Sequence, residues 1–138
     1  MQLEDKMTNP AGGDEPALVY PNVAAFVTDH LSHFYVRKYR TASRREGGHW
    51  CGQWWRHEEA VSRLTGLWRA WESLRLDPTT GLATWWINYA DPTMHALTTE
   101  DGPFTGCTAD HHEPGGSRLP LTPPPAGLFD LPAGGGVP

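Results

Sequence analysis

The sequence is poor in cysteine and in long apolar runs. It has only two cysteines, too few for a disulfide framework. No apolar run approaches the ~20 residues that a helix needs to cross a bilayer, and the acidic N-terminus lacks the hydrophobic segment of a signal peptide. We therefore expect a cytoplasmic protein with no membrane partner. In a reducing compartment the two cysteines are expected to be metal ligands or buried thiols.

Catalytic signatures are also absent from the sequence. It contains no H-E-x-x-H motif, no glycine-rich phosphate loop and no nucleophile elbow. Glu58 and Glu59, next to His57, would serve a hydrolase only if a bound metal kept an open coordination position. Two glutamates at a helix start are explained by the helix dipole alone. A metal-dependent hydrolase is therefore the least favoured function, and we infer no small-molecule substrate.

Positive charge is scarce overall but concentrated in one region. The net charge is -5, yet nine of the eleven Lys and Arg residues lie between Arg37 and Arg75. Segment 37–45 contains no acid and carries five basic residues, Arg37, Lys38, Arg40, Arg44 and Arg45. This basic segment predicts a nucleic-acid-binding surface on which Tyr39 or an exposed tryptophan stacks on bases. The alternative is a solvated face whose charge complements the C-terminal end of a helix.

Apolar periodicity predicts an all-α fold, a small bundle of three main helices plus a short fourth. The first helix is expected to begin after Asn22 as N-cap and to run to about Tyr39. The second extends from His57 to Leu76, with a broad apolar stripe on one side and charged residues, including Glu72, mostly on the other. We attribute Gly66, in the middle of this helix, to the close approach of a neighbouring ring.

The third helix is expected within segment 82–90, although its aromatic residues would also suit a strand. Asp91-Pro92 then resembles an N-cap followed by Pro at the first position of the short fourth helix. The predicted organisation is a flexible N-terminal tail (1–17), a helical Trp-rich domain (18–112) and a C-terminal arm (113–138). Half of the residues in the arm are Gly or Pro. Such a segment is either disordered or an extended polyproline arm that binds an aromatic groove, including the tryptophans of its own chain.

The stretch H-W-C-G-Q-W-W-R-H concentrates three of the seven tryptophans, two of the seven histidines and one cysteine. Within it, Cys51 and His57 form one candidate pair of metal ligands, and Cys107 with His112, or alternatively His111, forms a second. Two Cys and two His side chains are a common tetrahedral ligand set for structural zinc. The competing interpretations are two buried thiols with a histidine packed on the helix, and a disulfide between the cysteines.

Several motifs, in order, resemble an uncharacterised actinobacterial domain-of-unknown-function family, numbered four-nine-one-three. The motifs are Tyr20-Pro21-Asn22, Trp50-Cys51-x-x-Trp54-Trp55-x-His57, Leu67-Trp68-Arg69-Ala70-Trp71-Glu72-x-Leu74-Arg75, Trp85-Trp86, Asp91-Pro92 and Gly102-Pro103-Phe104. The resemblance covers about residues 19–131, and Glu58 stands where that family usually has Pro. It implies a setting on plasmids, integrative elements and phages, and it supplies no activity and no catalytic residues.

These observations together predict a small helical interaction or adaptor module of a mobile genetic element, stabilised by a structural zinc ion. Its partner is expected to be a protein that the sequence does not identify. The alternative is an accessory protein that binds nucleic acid through the basic segment 37–45.

Overall fold

The computed structural model describes residues 15–130, and apart from isolated β-bridges the regular structure in this range is helical. The first helix, α1, covers residues 23–34 in three consecutive stretches, α-helical Val23–Phe26, π-helical Val27–Leu31 and α-helical Ser32–Phe34. A 3₁₀ turn, Trp54–Arg56, precedes α2, Glu58–Leu74. The third helix, α3, covers residues 81–98 as α-helical Gly81–Thr84, π-helical Trp85–Ala90 and α-helical Asp91–Thr98. The predicted all-α class is confirmed. No helix in the described range is long and apolar enough to span a membrane.

Helix α1 begins as predicted but ends earlier. The side chain of Asn22 caps it by accepting a hydrogen bond from the backbone N–H of Ala25 at 2.8 Å. The helix ends at Phe34, short of the predicted end near Tyr39. The residues that follow are rich in aromatic and β-branched side chains, which lower helix propensity. Their backbone pairs instead with a later loop, since Gly48 donates to the carbonyl of Lys38 at 2.9 Å.

The predicted third and fourth helices form one continuous helix. Asp91 has helical backbone angles and its side chain caps nothing, so the prediction of a new helix start at Asp91 was wrong. Pro92 follows the π-helical stretch Trp85–Ala90 directly. A proline inside a helix lacks the N–H that would bond to the carbonyl four residues earlier, here that of Asn88. The wider π-helical turn alters this bonding pattern just before the proline, and the helix continues through it.

Helix α2 lies at the centre of the bundle and contacts both other helices. Large rings fill the space between the three helices: Phe26 of α1, Trp71 of α2 and Trp85 of α3. The Phe26 ring lies 5.8 Å from that of Trp71 and 6.3 Å from that of Trp85. The indole N–H of Trp85 donates to the carbonyl of Leu67 at 3.2 Å, so the burial of this side chain leaves no unpaired donor.

Glu72 of α2 is buried, although the helical pattern predicted that it points away from the core. Its carboxylate accepts hydrogen bonds from the backbone N–H groups of Val19 (2.9 Å) and Tyr20 (2.8 Å). It also accepts from the indole of Trp68 and the guanidinium of Arg75, each at 3.2 Å. A buried carboxylate needs such partners. Glu72 therefore attaches the segment that precedes α1 to the central helix.

The two predicted terminal segments lie partly outside the described range. Of the N-terminal tail, residues 15–17 are described, and the carbonyl of Ala17 accepts a hydrogen bond from Arg75 at 2.9 Å. In the C-terminal arm, residues 113–130 form no helix or strand. Leu119 and Leu121 are 81% and 83% exposed, so this part of the arm does not pack on the tryptophans of the chain. The extended polyproline conformation of the arm stays a prediction.

Candidate metal centre

Two loops bring the predicted ligands to one end of α2. His57 is the residue between the 3₁₀ turn and α2, and its backbone is extended there (φ -107°, ψ 113°). Cys51 lies in the loop before the 3₁₀ turn. The second loop follows α3, and Thr108 and His111 bridge within it through a hydrogen bond of 2.9 Å. The bridge places Cys107 and His112 at the two open ends of a tight turn, which faces the first loop.

The four side chains converge. The potential ligand atoms of Cys51, His57, Cys107 and His112 all lie within 4.8 Å of one another. The Sγ atom of Cys51 is 3.3 Å from Nδ1 of His112, and the Sγ atom of Cys107 is 3.5 Å from Nε2 of His57. Tetrahedral zinc, with its usual bond lengths, holds sulfur and nitrogen ligands roughly 3.6 Å apart. The observed spacing therefore suits a metal ion in the middle of the cluster.

Burial favours the neutral forms of Cys51 and His57 when no cation is bound. Cys51, Cys107 and His57 are buried and His112 is half-buried. Burial, together with the neighbouring Cys107, raises the pKa of the Cys51 thiol to about 11. Burial also lowers the pKa of His57, and His112 and Arg56 act in the same direction. Without a cation Cys51 and His57 are therefore neutral, and a bound metal would have to displace the proton of the Cys51 thiol.

Backbone donors are already aimed at the sulfur atoms. The N–H of Glu113 points at Sγ of Cys107 at 3.3 Å, and a backbone hydrogen bond from Gln53 lowers the pKa of Cys51 in opposition to burial. Hydrogen bonds of this kind stabilise a thiolate and orient it. The cluster thus has both ligands and supporting donors for a metal-bound form.

Sequence reasoning missed the side chains that hold the ligands in place. The ring of Phe104 packs edge-on against His57 at 5.0 Å, and Trp50 packs on Phe104 at 4.9 Å. Gly52 is needed because a Cβ atom there would lie 2.4 Å from the carbonyl oxygen of Ala109. The signal was present in the Gly-Pro-Phe motif that ends in Phe104 and in the glycine directly after Cys51. Neither pattern identifies its contact without the fold.

The structure decides which histidine joins this cluster and whether its two cysteines are paired. His112 belongs to it, whereas the side chain of His111 is 62% exposed and lies 3.4 Å from the carboxylate of Glu113. Both cysteines are free, so the disulfide interpretation does not hold in this structure. His49, from the same tryptophan-rich stretch, is buried apart from the ligands, and its ring nitrogens have no hydrogen-bond partner among the described residues.

The basic residues predicted to bind nucleic acid lie on the loop between α1 and the metal ligands. Four of the five are exposed, and Arg40 is half-buried. Arg40 donates to the carbonyl of Gly47 at 3.3 Å, and the guanidinium of Arg37 lies 4.1 Å from the ring centre of Tyr35. Because α1 ends at Phe34, most of these residues lie beyond the last turn in which a helix dipole acts. The dipole therefore does not explain the basic segment.

Fold and ligand geometry together define a small helical domain with a Cys₂His₂ cluster that could hold a metal ion. The chain belongs to the domain-of-unknown-function family DUF4913, whose family model matches residues 20–125. This range includes all four residues of the cluster. No curated protein and no solved structure gives a significant match to the chain.

Proposed function

We propose that this chain is a small helical protein-interaction module in which a structural zinc ion fixes the C-terminal loop to the start of α2. The observation that carries the proposal is the convergence of Cys51, His57, Cys107 and His112 within 4.8 Å. Two thiolates and two imidazoles form a ligand set that suits zinc better than the oxygen-preferring cations. The reducing cytoplasm, our expected location, would keep both thiols available as ligands.

The cluster favours a structural site over a catalytic one. A catalytic zinc keeps one position open for water or substrate, whereas here four protein side chains surround the centre. A hydrolase would also need a nearby acid or base. Glu58 and Glu59 are exposed and are not part of the cluster, and Glu59 pairs with Arg63 at 2.9 Å. The favourable interaction of these glutamates with the helix dipole is therefore sufficient to explain their position at the helix start.

Metal analysis of protein purified without a His-tag tests the zinc part of the proposal. We expect about one zinc ion per chain, as for a site with four protein ligands, and a lower melting temperature after treatment with a chelator. Cobalt substitution should give the absorption spectrum of a tetrahedral thiolate site. Protein that contains no stoichiometric zinc and whose stability does not respond to a chelator would refute the structural-zinc assignment.

The interaction part of the proposal is supported by large apolar side chains on the surface, among them Trp55, which lies between Cys51 and His57 and is 61% exposed. Affinity capture from an extract of the source organism tests it, with the zinc-loaded protein as bait and chelator-treated protein as control. We expect a protein partner that only the zinc-loaded bait retains. A role within a mobile genetic element is supported by the family resemblance alone. Family genes that show no association with recombination or replication genes would contradict it.

A second candidate function is nucleic-acid binding through the basic segment 37–45. The observation in its favour is that, within residues 15–130, none of the five basic side chains is ion-paired with a carboxylate. Fluorescence titration with single- and double-stranded DNA at low salt tests this function. DNA binding that weakens steeply with added salt would support this function. The absence of binding at low salt would exclude it.

A further inference from the structure

An apolar groove lies between α1 and the loop that carries Cys51. Its volume is about 390 Å³, and the side chains that form its floor are buried: Val27, Leu31, Trp54 and Met94. The half-buried rings of Tyr35 and Tyr39 line one side. A pocket of this size and composition accepts one or two large apolar side chains. None of residues 113–130 lines the groove, so the described part of the arm leaves it open.

The candidate metal centre supports one wall of this groove. Trp50 and Gly52 line the groove, and they are the two neighbours of Cys51. The turn that carries Cys107 and His112 is joined to the loop on the other side, because Ala109 donates to the carbonyl of Arg40 at 3.0 Å. Loss of the metal would therefore release both the tryptophan wall and the support of the basic loop.

Positive charge lies beside the rim of the groove, because the guanidinium of Arg37 lies 4.1 Å from the ring centre of Tyr35, which lines it. The basic segment 37–45 continues directly from Tyr35 and includes Tyr39, and its five Lys and Arg residues have no ion-pair partner within residues 15–130. The remainder of the chain is strongly acidic, since the net charge is -5 with this segment included. Such a rim selects for a ligand that carries negative charge beside its apolar anchor.

We infer that the groove binds a partner-protein segment that places a large aliphatic or aromatic side chain over Val27, Leu31 and Met94 and flanking Asp or Glu residues against the basic segment. This inference rests on the proposed interaction function and names the class of its partner. A nucleobase fits less well, because its polar edge would meet the apolar floor formed by Val27, Leu31 and Met94. Thr28 and Ser32, which also line the groove, are exposed. The hydroxyl of Ser32 already donates to the carbonyl of Thr28 at 2.7 Å.

Selection from a random displayed peptide library, with the zinc-loaded full chain as target, tests the inference. The expected product is a set of peptides that share an apolar residue flanked by Asp or Glu, and the strongest of them then serves as a labelled probe. Enrichment of no peptide, or of proline-rich peptides without acidic residues, would overturn the inference. Tighter binding of labelled single-stranded DNA at the same groove would assign the surface to nucleic acid instead.

Two pairs of variants locate the binding of the selected peptide. Thr28→Arg places a long side chain in the groove from an exposed position, and Ser62→Arg is its control on the exposed face of α2. The double change Arg37→Glu with Lys38→Glu reverses charge on the rim, and Arg118→Glu in the exposed arm is its control. We expect each groove or rim variant to weaken binding by at least about tenfold and each control to leave it unchanged. Equal binding by Thr28→Arg and wild type would overturn the inference.

The failure of this inference is distinguishable from that of the zinc proposal. If zinc is bound at stoichiometric levels but Thr28→Arg has no effect, the groove assignment alone is wrong. If the peptide binds through the groove but the protein holds no zinc, the structural-zinc assignment alone is wrong. When both hold, treatment with a chelator should weaken peptide binding to the same degree as Cys107→Ser, because both remove the support of the Trp50 wall.

Discussion

The aromatic core between the three helices and the Cys–His cluster beside it belong to one chain but hold it together by different means. The helical core consists of buried side chains on α1, α2 and α3, among them Phe26, Trp71 and Trp85. The metal end, residues 49–57 and 104–113, contains one 3₁₀ turn and otherwise only loops. Periodic apolar residues on helices can form a core without help, whereas loops without regular structure depend more on a cross-link or a metal. The two parts should therefore respond differently to substitutions and to removal of the metal.

The largest effect is expected from a cavity in the helical core. Trp85→Ala removes a side chain that is 1% exposed, and such a change costs about 3–5 kcal/mol. Because Trp85 of α3 contacts Phe26 of α1 through its ring and the carbonyl of Leu67 of α2 through its indole N–H, the whole domain should lose stability, including the metal end. Thermal denaturation followed by circular dichroism measures the loss. The matched control is Trp55→Ala, which removes a side chain that is 61% exposed and should change stability by no more than about 0.5 kcal/mol. Similar melting temperatures for the two variants would contradict this account of the core.

The second effect should be confined to the metal end. His112→Asn removes a proposed ligand, and zinc affinity should fall by more than the roughly 10–100-fold that the loss of an outer-shell partner costs. Hydrogen exchange should then accelerate in residues 49–57 and 104–113, while the helical signal in circular dichroism stays. His111→Asn is the matched control, since its side chain is 62% exposed and outside the cluster. Global unfolding of the metal-free protein would show that the two parts are not separable.

The third effect lies in the helical core but involves a polar group. Glu72→Ala removes the acceptor for the N–H groups of Val19 and Tyr20, and hydrogen bonds to a charged group contribute about 1.5–3 kcal/mol. Urea denaturation should report a loss of this size. Glu59→Ala, which breaks an exposed pair with Arg63, should cost only about 0.3–0.5 kcal/mol. If both changes cost the same, the burial of Glu72 has no energetic consequence.

A smaller effect is expected from the pH dependence of the helical core. Burial lowers the pKa of His30, which the charge of Glu72 opposes. The native state therefore keeps His30 neutral where the unfolded chain, with a value near 6.5, takes up a proton. Stability from this group is complete above that value and is lost as the pH falls below it.

The variant His30→Phe separates the contribution of His30 to the pH dependence of stability from that of the metal ligands, because the ligands titrate in both wild type and variant. Between about pH 7.5 and about pH 5.5, the melting temperature of wild type should fall by more than that of the variant. Since Tyr20 loses its hydrogen bond to Nδ1 of His30 at 3.2 Å, the variant starts from lower stability, and only the difference in slope is diagnostic. Parallel pH profiles would exclude His30 as the cause.

Much of this arrangement was predictable from residue types and spacing. The apolar stripe of α2 and the Asn22 cap follow from local patterns that the chemistry constrains strongly. The convergence of Cys51 and His57 with Cys107 was one of several interpretations that residue types and spacing allowed. The choice between His112 and His111 did not follow, because it depends on the Thr108–His111 bridge, which sets the direction of each side chain.

Other features depend on tertiary contacts that no local pattern encodes. Glu72 occupies the polar side of a helical pattern, yet the segment before α1 folds over it and supplies the donors that permit burial. Asp91-Pro92 has the chemistry of a helix start, but the π-helical stretch Trp85–Ala90 allows α3 to continue. In both cases the residue types were identified correctly, but the structure that they adopt depends on a neighbouring part of the chain.

Gly66 gives the smallest effect and tests the central helix directly. The sequence suggested that a ring approaches this glycine closely, but that interpretation was wrong. A Cβ atom added at Gly66 meets nothing within 4 Å, and the residue is exposed in the middle of α2. Gly66→Ala should therefore stabilise the protein by roughly 0.5–1 kcal/mol, because alanine loses less conformational freedom in a helix.

The gain from Gly66→Ala should appear in thermal and urea unfolding and leave zinc content unchanged, since Gly66 is exposed and lies nine residues along the chain from the ligand His57. Gly81→Ala is the opposing control, because its Cβ atom would clash with the carbonyl of Leu74, and it should destabilise. A loss of stability in Gly66→Ala would indicate that this face of α2 is covered by a contact that the described residues do not contain.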